Sequence, residues 1–201
     1  MLDDSTTLPR IGVLALQGAF AEHLAMLQGI GAVARPVRKP EDLEGLHGLI
    51  MPGGESTVIG KLAVEYGLIA AIRAFAAAGN AVWGTCAGLI FLAKDVGRDQ
   101  PLLELMDIAV ERNAFGRQID SFEHEVHVEG VTSPREKFFA IFIRAPIVRE
   151  AGPGVQVLGR LPDGKIIAVR QANLFGTAFH PELTGDDRIH RFFIGMASRR
   201  H

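Results

Sequence analysis

In the first half of the chain, short and almost continuous apolar runs alternate with segments that carry a helical pattern. The first apolar run covers residues 10–16. In the segment that follows it, Phe20, Leu24 and Leu27 recur at the spacing of one face of a helix. A run that is apolar at nearly every position is typical of a strand covered on both faces, as in a parallel sheet. The alternation therefore predicts an α/β fold with a doubly wound, mostly parallel sheet flanked by helices.

The order of elements changes near residue 105, where strand-like segments begin to follow one another. Before that point, strands are expected at residues 32–37, 46–51 and 80–84, and helices from about Ser56 (the expected cap), at residues 69–78 and from Cys86. After it, strand-like segments cover residues 106–112, 122–128, 137–143, 156–160, 165–169 and 174–179. This cluster predicts an antiparallel strand addition at one edge or end of the sheet. The apolar face of a final helix consists of Ile189, Phe192, Phe193 and Met196.

The length and composition fit a single domain, residues 1–201, with residues 1–9 as a short N-terminal extension. The 21 Lys and Arg residues against 23 Asp and Glu residues leave no positive excess, which argues against nucleic acid as a partner. The N-terminus lacks the pattern of a signal peptide, and the most apolar stretch, residues 68–83, is interrupted by Arg73, Gly79 and Asn80. With its single cysteine, the chain is expected in the reducing cytoplasm and away from membranes.

The strongest candidate for chemistry is the segment Gly84-Thr85-Cys86-Ala87-Gly88, where a short apolar strand meets a helix. This is the pattern of a nucleophile elbow, in which glycines leave room for a sharp turn and the nucleophile takes a strained backbone conformation. A helix N-terminus behind Cys86 favours the thiolate, and the N–H that follows it can face an oxyanion. A lone cysteine is often only a small buried side chain, but spacing and context favour the catalytic interpretation.

His180 is the best-placed candidate base among the seven histidines, because it directly follows the apolar residues 174–179. In an α/β sheet the catalytic crevice lies at the carboxyl ends of the parallel strands, where Cys86 is also expected. Glu182, two positions further on, can fix the imidazole tautomer and stabilise its charged form. Without Cys86, a strand-end histidine bonded to the backbone would be the simpler interpretation.

A second glycine motif, residues 52–57, follows a strand and opens a helix. Its spacing to Gly60 and Lys61 does not match a phosphate-binding loop. Two interpretations remain: a structural turn, or backbone N–H groups that stabilise an oxyanion. Arg112 and Arg144 lie where apolar strand-like runs end, and either could clamp a substrate carboxylate, although surface arginines are far commoner.

The other histidines give weaker signals. Glu125, His127 and Glu129 could be imagined as metal ligands, but a solvated outer face of an antiparallel strand explains the same alternation more simply. No metal and no cofactor are therefore expected. His23 is expected at the mouth of the crevice. The histidines expected at the surface are His47, His190 and His201.

Together, the elbow around Cys86 and the segment His180-Pro181-Glu182 resemble the Cys-His-Glu triad of class I glutamine amidotransferases. Within that broad family, the chain resembles more closely the glutaminase subunit of pyridoxal 5'-phosphate synthase. The motifs that carry this finer resemblance run in order from about residue 11 to 184 and cover residues 12–18, 52–57, 112–118, 121–123, 142–146 and 179–184. The resemblance spans nearly the whole chain and implies the class I glutamine amidotransferase fold.

The resemblance also implies a role for each matching residue. Cys86 is implied as the nucleophile, with His180 and Glu182 completing the triad. Backbone N–H groups near Gly54 and Ala87 are implied to hold the oxyanion. The residues implied to contact or hold the substrate are Gly54, Glu55, Ser56, Arg112, Ile143 and Arg144.

The implied reaction is hydrolysis of L-glutamine to L-glutamate and ammonia through a γ-glutamyl thioester. Free ammonia is protonated near neutral pH and lost as a nucleophile, and the sequence carries no motif for a second substrate or a cofactor. The resemblance supplies the receiver, which is the barrel-shaped synthase subunit that builds pyridoxal 5'-phosphate (vitamin B6). In the family, the glutaminase is weak until that partner binds.

Two other interpretations stay open at the level of the sequence. A stand-alone cysteine hydrolase, such as a γ-glutamyl hydrolase or a peptidase-like relative, would act fully without a partner. A non-catalytic interaction or regulatory domain would keep the triad residues without using them. Full activity in isolation would indicate the first interpretation, and an unreactive Cys86 would indicate the second.

Overall fold

The computed structural model of the protein describes residues 9–115, 121–133 and 135–199. Its first half alternates strands and helices: β1 Arg10–Leu14, α1 Phe20–Gly29, β2 Val33–Val37, β3 Gly48–Met51, α2 Ser56–Glu65, α3 Leu68–Ala77, β4 Ala81–Thr85 and α4 Ala87–Leu92. Its second half is rich in strands: β5 Ala93–Asp95, β6 Met106–Glu111, β7 Ser121–Val126, β8 Phe138–Ile143, β9 Ile147–Ala151, β10 Gln156–Arg160, β11 Ile166–Gln171 and β12 Leu174–Thr177, followed by α5 Arg188–Ser198. Short 3₁₀ helices cover Pro40–Leu43 and Pro181–Leu183.

Most strands join one ten-stranded sheet with the order β2-β1-β3-β4-β12-β11-β9-β6-β5, and β10 pairs with β11. The strands from β2 to β12 are parallel to their neighbours, which confirms the predicted parallel half. From β12 onwards the pairs β12–β11, β11–β9 and β9–β6 are antiparallel, which confirms the predicted strand addition. Strands β7 and β8 form a separate antiparallel hairpin.

The second half departs from the sequence prediction in three places. The short strands β5 and β9 are additional to the predicted set. Strand β12 belongs to the parallel half rather than to the antiparallel cluster, because the chain returns to pair with β4. Local composition predicts that a segment is extended. It does not predict which strand pairs with which, because tertiary packing decides the pairing.

The side chain of Trp83 in β4 lies at the centre of the layer between the sheet and helices α1 and α5. It is fully buried and sits edge-on to His23 of α1 and His190 of α5, with ring centroids 5.5 and 5.0 Å away. Phe193 of α5 packs against the same indole. The indole N–H donates to Thr177 Oγ1 at 3.1 Å, so the polar end of this large apolar group is also satisfied.

The pairing of β4 with β12 decides where the candidate chemistry is located. Thr85 of β4 is the register partner of Thr177 of β12, so these parallel strands end at the same edge of the sheet. The N–H of Cys86 donates to the carbonyl oxygen of Thr177 at 2.8 Å. Cys86 and His180, which follow the two strands, are thereby brought to one place.

Two further predictions concern the N-terminal extension and membrane-spanning helices. Of the expected N-terminal extension, residues 1–8 lie outside the described residues, whereas Pro9 is buried. In the described ranges, each helix is too short or too polar to cross a bilayer.

Candidate active site

Cys86 occupies the sharp turn between β4 and α4, where the sequence predicts a nucleophile elbow. Its backbone has φ 48° and ψ −102°, a conformation that residues other than glycine rarely adopt. Flanking glycines are required, because a Cβ on Gly84 would overlap the backbone of Gly88, and a Cβ on Gly88 would overlap that of Met51. The strained turn thus holds the Cys86 side chain at the edge of the sheet.

His180 lies between Cys86 and Glu182. Its Nδ1 is 2.7 Å from Glu182 Oε1, and its ring lines the same cleft as Cys86, close enough for the cysteine to raise the pKa of the imidazole. Since Nδ1 faces the carboxylate, Nε2 is the nitrogen left for the sulfur. The main chain is anchored by the N–H of His180, which donates to the carbonyl oxygen of Ile141 at 2.8 Å. The structure therefore brings together the three residues predicted as a triad.

The surroundings of His180 favour its charged form. Burial by itself lowers the pKa of His180, but hydrogen bonds to Cys86 and Glu182 and the negative charges of both groups outweigh it and raise the pKa to about 10. The imidazole is therefore positively charged at neutral pH. A cation beside the sulfur stabilises the thiolate, which is the nucleophilic form of cysteine.

The triad opens into a cleft with a volume of about 320 Å³. This volume is at the lower end of the range of small-molecule sites. The lining includes Gln17, Gly54, Glu55, Ser56, Cys86, Ala87, Arg112, Ile143, Arg144 and His180. Every residue to which the sequence assigned a substrate or oxyanion contact therefore lines one cleft, and Glu182 lies behind it.

The glycine loop after β3 lies directly against the histidine of the triad. A Cβ on Gly53 would overlap the imidazole ring of His180, so this close approach requires glycine. The carbonyl oxygen of Gly53 accepts from the N–H of Ala19 at 3.0 Å, and the N–H of Glu55 donates to Gln17 Oε1 at 2.7 Å. Gln17 and Ala19 thus hold the loop from both sides, a function that local sequence patterns did not assign to them.

Glu55 and Arg112 form an ion pair inside the cleft, with 2.8 Å between Oε1 and Nη2. Arg112 Nη1 also donates to Gln100 Oε1 at 3.2 Å, and Gln100 Nε2 donates to Ser56 Oγ at 3.3 Å. Gln100 is a further residue that the sequence did not single out, since it lies in a polar loop far from the motifs. The chain of contacts fixes Arg112 in place.

The N-terminus of α2 is capped by Glu55, so the predicted cap at Ser56 is wrong. Glu55 Oε1 accepts from the N–H and the hydroxyl of Thr57, whereas Ser56 already lies in the first turn of the helix. Burial alone raises the pKa of Glu55, but the hydrogen bonds from Thr57 and the charge of Arg112 lower it below its usual range. The carboxylate is therefore ionised at neutral pH.

The loop after β8 forms another wall of the cleft. The carbonyl oxygen of Ile143 is 3.8 Å from Cys86 Sγ. Arg144 is exposed and has φ 42°, so its backbone is in the left-handed region that non-glycine residues favour only under constraint. Arg112 and Asn113 also line the cleft, and residues 116–118 of the same motif lie outside the described residues.

Two predictions about histidines are wrong. His190 is fully buried rather than at the surface, and His23 is fully buried beneath the triad rather than at the mouth of the cleft. His23 Nε2 is 3.4 Å from Glu182 Oε2. A histidine beside apolar residues on a helix face gives no local sign of whether it points inward, because only a polar partner from another element makes its burial favourable.

The predicted exposure of Glu125, His127 and Glu129 is confirmed, but strand β7 ends at Val126, so of the three only Glu125 lies on a strand. Glu125, His127 and Glu129 are exposed, while Val126 and Val128 between them are buried. Within the described ranges, no group of three or more potential ligands is arranged to hold a metal ion. His47 is partly buried and accepts from the N–H of Arg10, and His201 lies outside the described residues.

Comparison with known proteins identifies the family of the chain. Residues 13–199 match the SNO glutamine amidotransferase family. The chain belongs to this family. Similar members include the pyridoxal 5'-phosphate synthase subunit PdxT of Dehalococcoides mccartyi, which is 55% identical over 192 residues, or 94% of this chain and 97% of the relative. The subunit PdxT of Geobacillus kaustophilus is 53% identical over 188 residues, covering 93% and 94% of the two chains.

Solved structures agree with the assignment to the SNO glutamine amidotransferase family. A crystal structure of a glutamine amidotransferase is 50% identical, has a TM-score of 0.88 and covers 94% of this chain and 99% of its own. A chain in the structure of PurLQS from Thermotoga maritima has a TM-score of 0.70 at 18% identity, covering 94% and 99%. The second likeness concerns the fold alone. The resemblance drawn from the sequence motifs is thereby confirmed at the level of family and fold.

Proposed function

We propose that this chain hydrolyses L-glutamine to L-glutamate and ammonia, with Cys86 as the nucleophile, and passes the ammonia to a synthase subunit that makes pyridoxal 5'-phosphate. The observation that carries the proposal is the placement of Cys86 and His180 at the wall of one cleft, with His180 hydrogen-bonded to Glu182 behind it. The names of the PdxT relatives, which are subunits of pyridoxal 5'-phosphate synthase, support the second part.

The chemistry begins with attack of the Cys86 thiolate on the side-chain amide carbon of glutamine. The carbon–sulfur bond forms while the carbonyl π-electrons move to oxygen, giving a tetrahedral oxyanion. His180, held as the imidazolium, donates its proton to the departing nitrogen, so ammonia leaves and a γ-glutamyl thioester remains. A water molecule, deprotonated by the now neutral His180, attacks the thioester, releases glutamate and restores the thiolate.

The oxyanion is stabilised in this proposal by backbone N–H groups of Gly54 and Ala87. Both residues line the cleft beside Cys86, one from the glycine loop and one from the start of α4. Backbone donors suit this task, since they are already oriented and need no rearrangement as charge develops on oxygen.

Recognition of glutamine rests on the charged groups at the far side of the cleft. An amino acid carries a carboxylate and an ammonium group, and Arg112 and Glu55 offer one charge of each complementary sign. In the proposal Arg112 binds the α-carboxylate and Glu55 the α-ammonium group, with Gly54, Ser56, Ile143 and Arg144 completing the pocket. When glutamine binds, Arg112 and Glu55 would each replace some of their contact with the other by a contact with a charged group of the substrate.

A partner follows from the chemistry of the product. Ammonia released into water near neutral pH takes up a proton and loses its nucleophilic electron pair, so a receiver must take it directly. The cytoplasm is the proposed compartment, because a catalytic thiolate needs surroundings that keep cysteine reduced.

The test is glutamate release from L-glutamine by the purified chain, alone and with the barrel-shaped synthase subunit, beside Cys86→Ala. We expect weak release alone, a strong rise with the synthase and none in the variant. Full activity without the synthase would favour a stand-alone hydrolase. Absence of activity in both conditions, with Cys86 inert to iodoacetamide, would favour a non-catalytic domain.

A further inference from the structure

Behind the triad, a chain of buried polar groups continues away from the cleft. Glu182 Oε2 is 3.4 Å from His23 Nε2, and His23 Nδ1 is 2.9 Å from His190 Nε2. The side chains of His23 and Glu182 are completely inaccessible to solvent, and His190 is fully buried as well. His23 Nε2 also lies 3.3 Å from Thr85 Oγ1. The series therefore runs from Cys86 through the triad to two histidines that the proposed reaction does not use.

The hydrogen-bond requirements of these groups select one set of tautomers. Glu182 Oε1 accepts from His180, whereas Oε2 has no hydrogen bond in the described structure and has His23 Nε2, 3.4 Å away, as its near polar neighbour. A carboxylate oxygen must face a donor, so His23 carries its proton on Nε2. Its Nδ1 is then an acceptor and receives the Nε2–H of His190, which leaves His190 Nδ1, the other buried atom without a hydrogen bond, with a lone pair and not an N–H.

The opposite tautomers would be much less favourable. With its proton on Nδ1, His23 would point a lone pair at the Glu182 carboxylate, and His190 would carry a buried N–H on Nδ1 with no hydrogen-bond partner in the described structure. A buried donor without an acceptor is costly, as is repulsion between two lone pairs in a medium of low polarity. The direction of donation is thus His190 to His23 to Glu182.

We propose that His23 is a positioning residue for the reaction, which donates from Nε2 to Glu182 Oε2 and so holds the carboxylate in the plane that orients His180, while His190 fixes the tautomer of His23. The catalytic consequence rests on the proposed function, whereas the hydrogen-bond arrangement does not.

The surroundings explain why the donor must be a protein side chain. Trp83 covers both histidine rings from the sheet, with centroids 5.5 Å from His23 and 5.0 Å from His190, and Phe193 closes the layer beside it. Because the side chains of His23 and Glu182 have no solvent exposure, bulk water does not reach this carboxylate oxygen. Loss of the His23 donor would therefore leave a buried charge with only one of its two oxygens satisfied.

Burial is the main cause that keeps both histidines neutral. Burial, and then the nearby His190 and His180, lower the pKa of His23 well below its usual range. Burial also lowers the pKa of His190 to about 4, against the opposing charge of Asp187 at the start of α5. Glu182 and Thr85 are the remaining polar groups that face His23. Neutral rings have one N–H each, as the proposed direction of donation requires.

The first experiment reads the tautomers directly, by nitrogen NMR of the chain labelled with ¹⁵N-histidine, with His23→Gln and His190→Gln used for assignment. We expect both rings to be neutral and protonated on Nε2 between pH 5.5 and 8. Protonation of His23 on Nδ1, or a doubly protonated His23 in this range, would overturn the proposal. The measurement needs neither glutamine nor a synthase subunit.

The second experiment compares His23→Gln with His23→Met. The glutamine amide nitrogen can take the place of Nε2 and donate, whereas methionine fills similar space without a donor. With the synthase present, we expect His23→Met to lower kcat about 10- to 100-fold with little change in KM, and His23→Gln to recover most of the loss. Alkylation of Cys86 by iodoacetamide at pH 7, measured on the chain alone, should slow in His23→Met and recover in His23→Gln.

The outcomes separate this proposal from the proposed function. His127→Gln, at an exposed position just after β7, is the matched control and should change neither quantity. A folded His23→Met with unchanged kcat and unchanged alkylation would refute the positioning role. If the wild-type chain released no glutamate but showed the expected tautomers and the same alkylation pattern, the proposed function would fail while the hydrogen-bond arrangement stood.

Discussion

At the scale of single residues, the site depends on a few side chains whose charge states are set by their immediate neighbours. His180 is buried, which alone would make it neutral, yet its contacts with Cys86 and Glu182 raise its pKa to about 10. A few ångströms further on, His23 is buried among other histidines and is kept neutral. Two imidazoles in one core thus have opposite charge states, because the interactions with Cys86 and Glu182 outweigh burial at His180, whereas burial dominates at His23.

The carboxylate of Glu182 should be far more important for rate than for substrate binding. Glu182→Gln removes the charge that stabilises the His180 imidazolium and presents an amide that can favour the wrong tautomer. We expect kcat to fall about 10²- to 10⁴-fold with KM changed little. Steady-state kinetics in the presence of the synthase subunit check this, with the exposed Glu123→Gln as the control. A loss confined to KM would contradict the assigned role.

Arg112 should affect binding rather than rate. Arg112→Lys keeps the positive charge but loses the planar pair of N–H donors that contacts Glu55 and Gln100. We expect KM for glutamine to rise about 10-fold or more while kcat stays within a few-fold, since the lost hydrogen bonds act on both ground and transition states. Arg149→Lys, at an exposed ion pair, serves as the control. An unchanged KM would remove Arg112 from the substrate pocket.

At the scale of elements, the site is made by the ends of two parallel strands and the turn into α4. Strands β4 and β12 are separated by most of the second half of the sequence, yet they are hydrogen-bonded neighbours. Helix α4 sits close against β4 because Gly84 has no side chain at the point of contact. The elbow therefore requires both the strand pairing and the missing Cβ.

Gly84→Ala tests this contact. The added Cβ would overlap the backbone of Gly88, and a backbone cannot move aside as a flexible side chain can. We expect the free energy of unfolding to fall by about 1–3 kcal/mol or more, with loss of Cys86 alkylation as the elbow shifts. Urea unfolding followed by circular dichroism measures the first effect. Gly29→Ala is the control, because a Cβ there meets no atom within 4 Å, and normal stability of Gly84→Ala would show that α4 can move freely.

At the scale of the whole molecule, the buried histidines connect the site to the stability of the fold. His190 has a pKa of about 4 in the folded chain, below the 6.5 of an unperturbed histidine. Between these two values the unfolded chain binds a proton that the folded chain does not, so stability must rise with pH across this window. His23, with its pKa also lowered, acts in the same direction. His180 has the opposite shift, so its contribution is fully present below pH 6.5 and is lost only as pH rises through about 10.

We therefore expect the free energy of unfolding to fall by about 2 kcal/mol between pH 7 and pH 5 from His190 alone. Urea titrations at several pH values in that interval, above the range in which most carboxylates titrate, provide the measurement. His190→Gln should flatten the dependence, whereas the exposed His127→Gln should retain it. A wild-type curve with no slope between pH 5 and 7 would show that the buried pair accepts protons without cost.

The sequence and the structure agree best where a short segment defines its own geometry. The alternation of apolar runs and helical patterns predicts the parallel half of the sheet, and the glycines around Cys86 predict the elbow, since both are local constraints. The sequence motifs also predict the cleft-lining residues from Gly54 to Arg144, although their roles remain proposals. Gln17, Gln100 and the pair His23 and His190 were missed, because each acts through a partner distant in sequence.

By itself, the sequence determined the class of fold, the family and the types of residue available for chemistry, because apolar periodicity and glycine-dependent turns are encoded over a few neighbouring positions. Only the tertiary structure decided that β12 returns to pair with β4, that Glu55 rather than Ser56 caps α2, and that His23 and His190 turn inward behind Glu182. The physical reason is the same in each case. The partner of a polar group or of a strand edge depends on packing and hydrogen bonding over the whole core. A local sequence pattern does not contain that information.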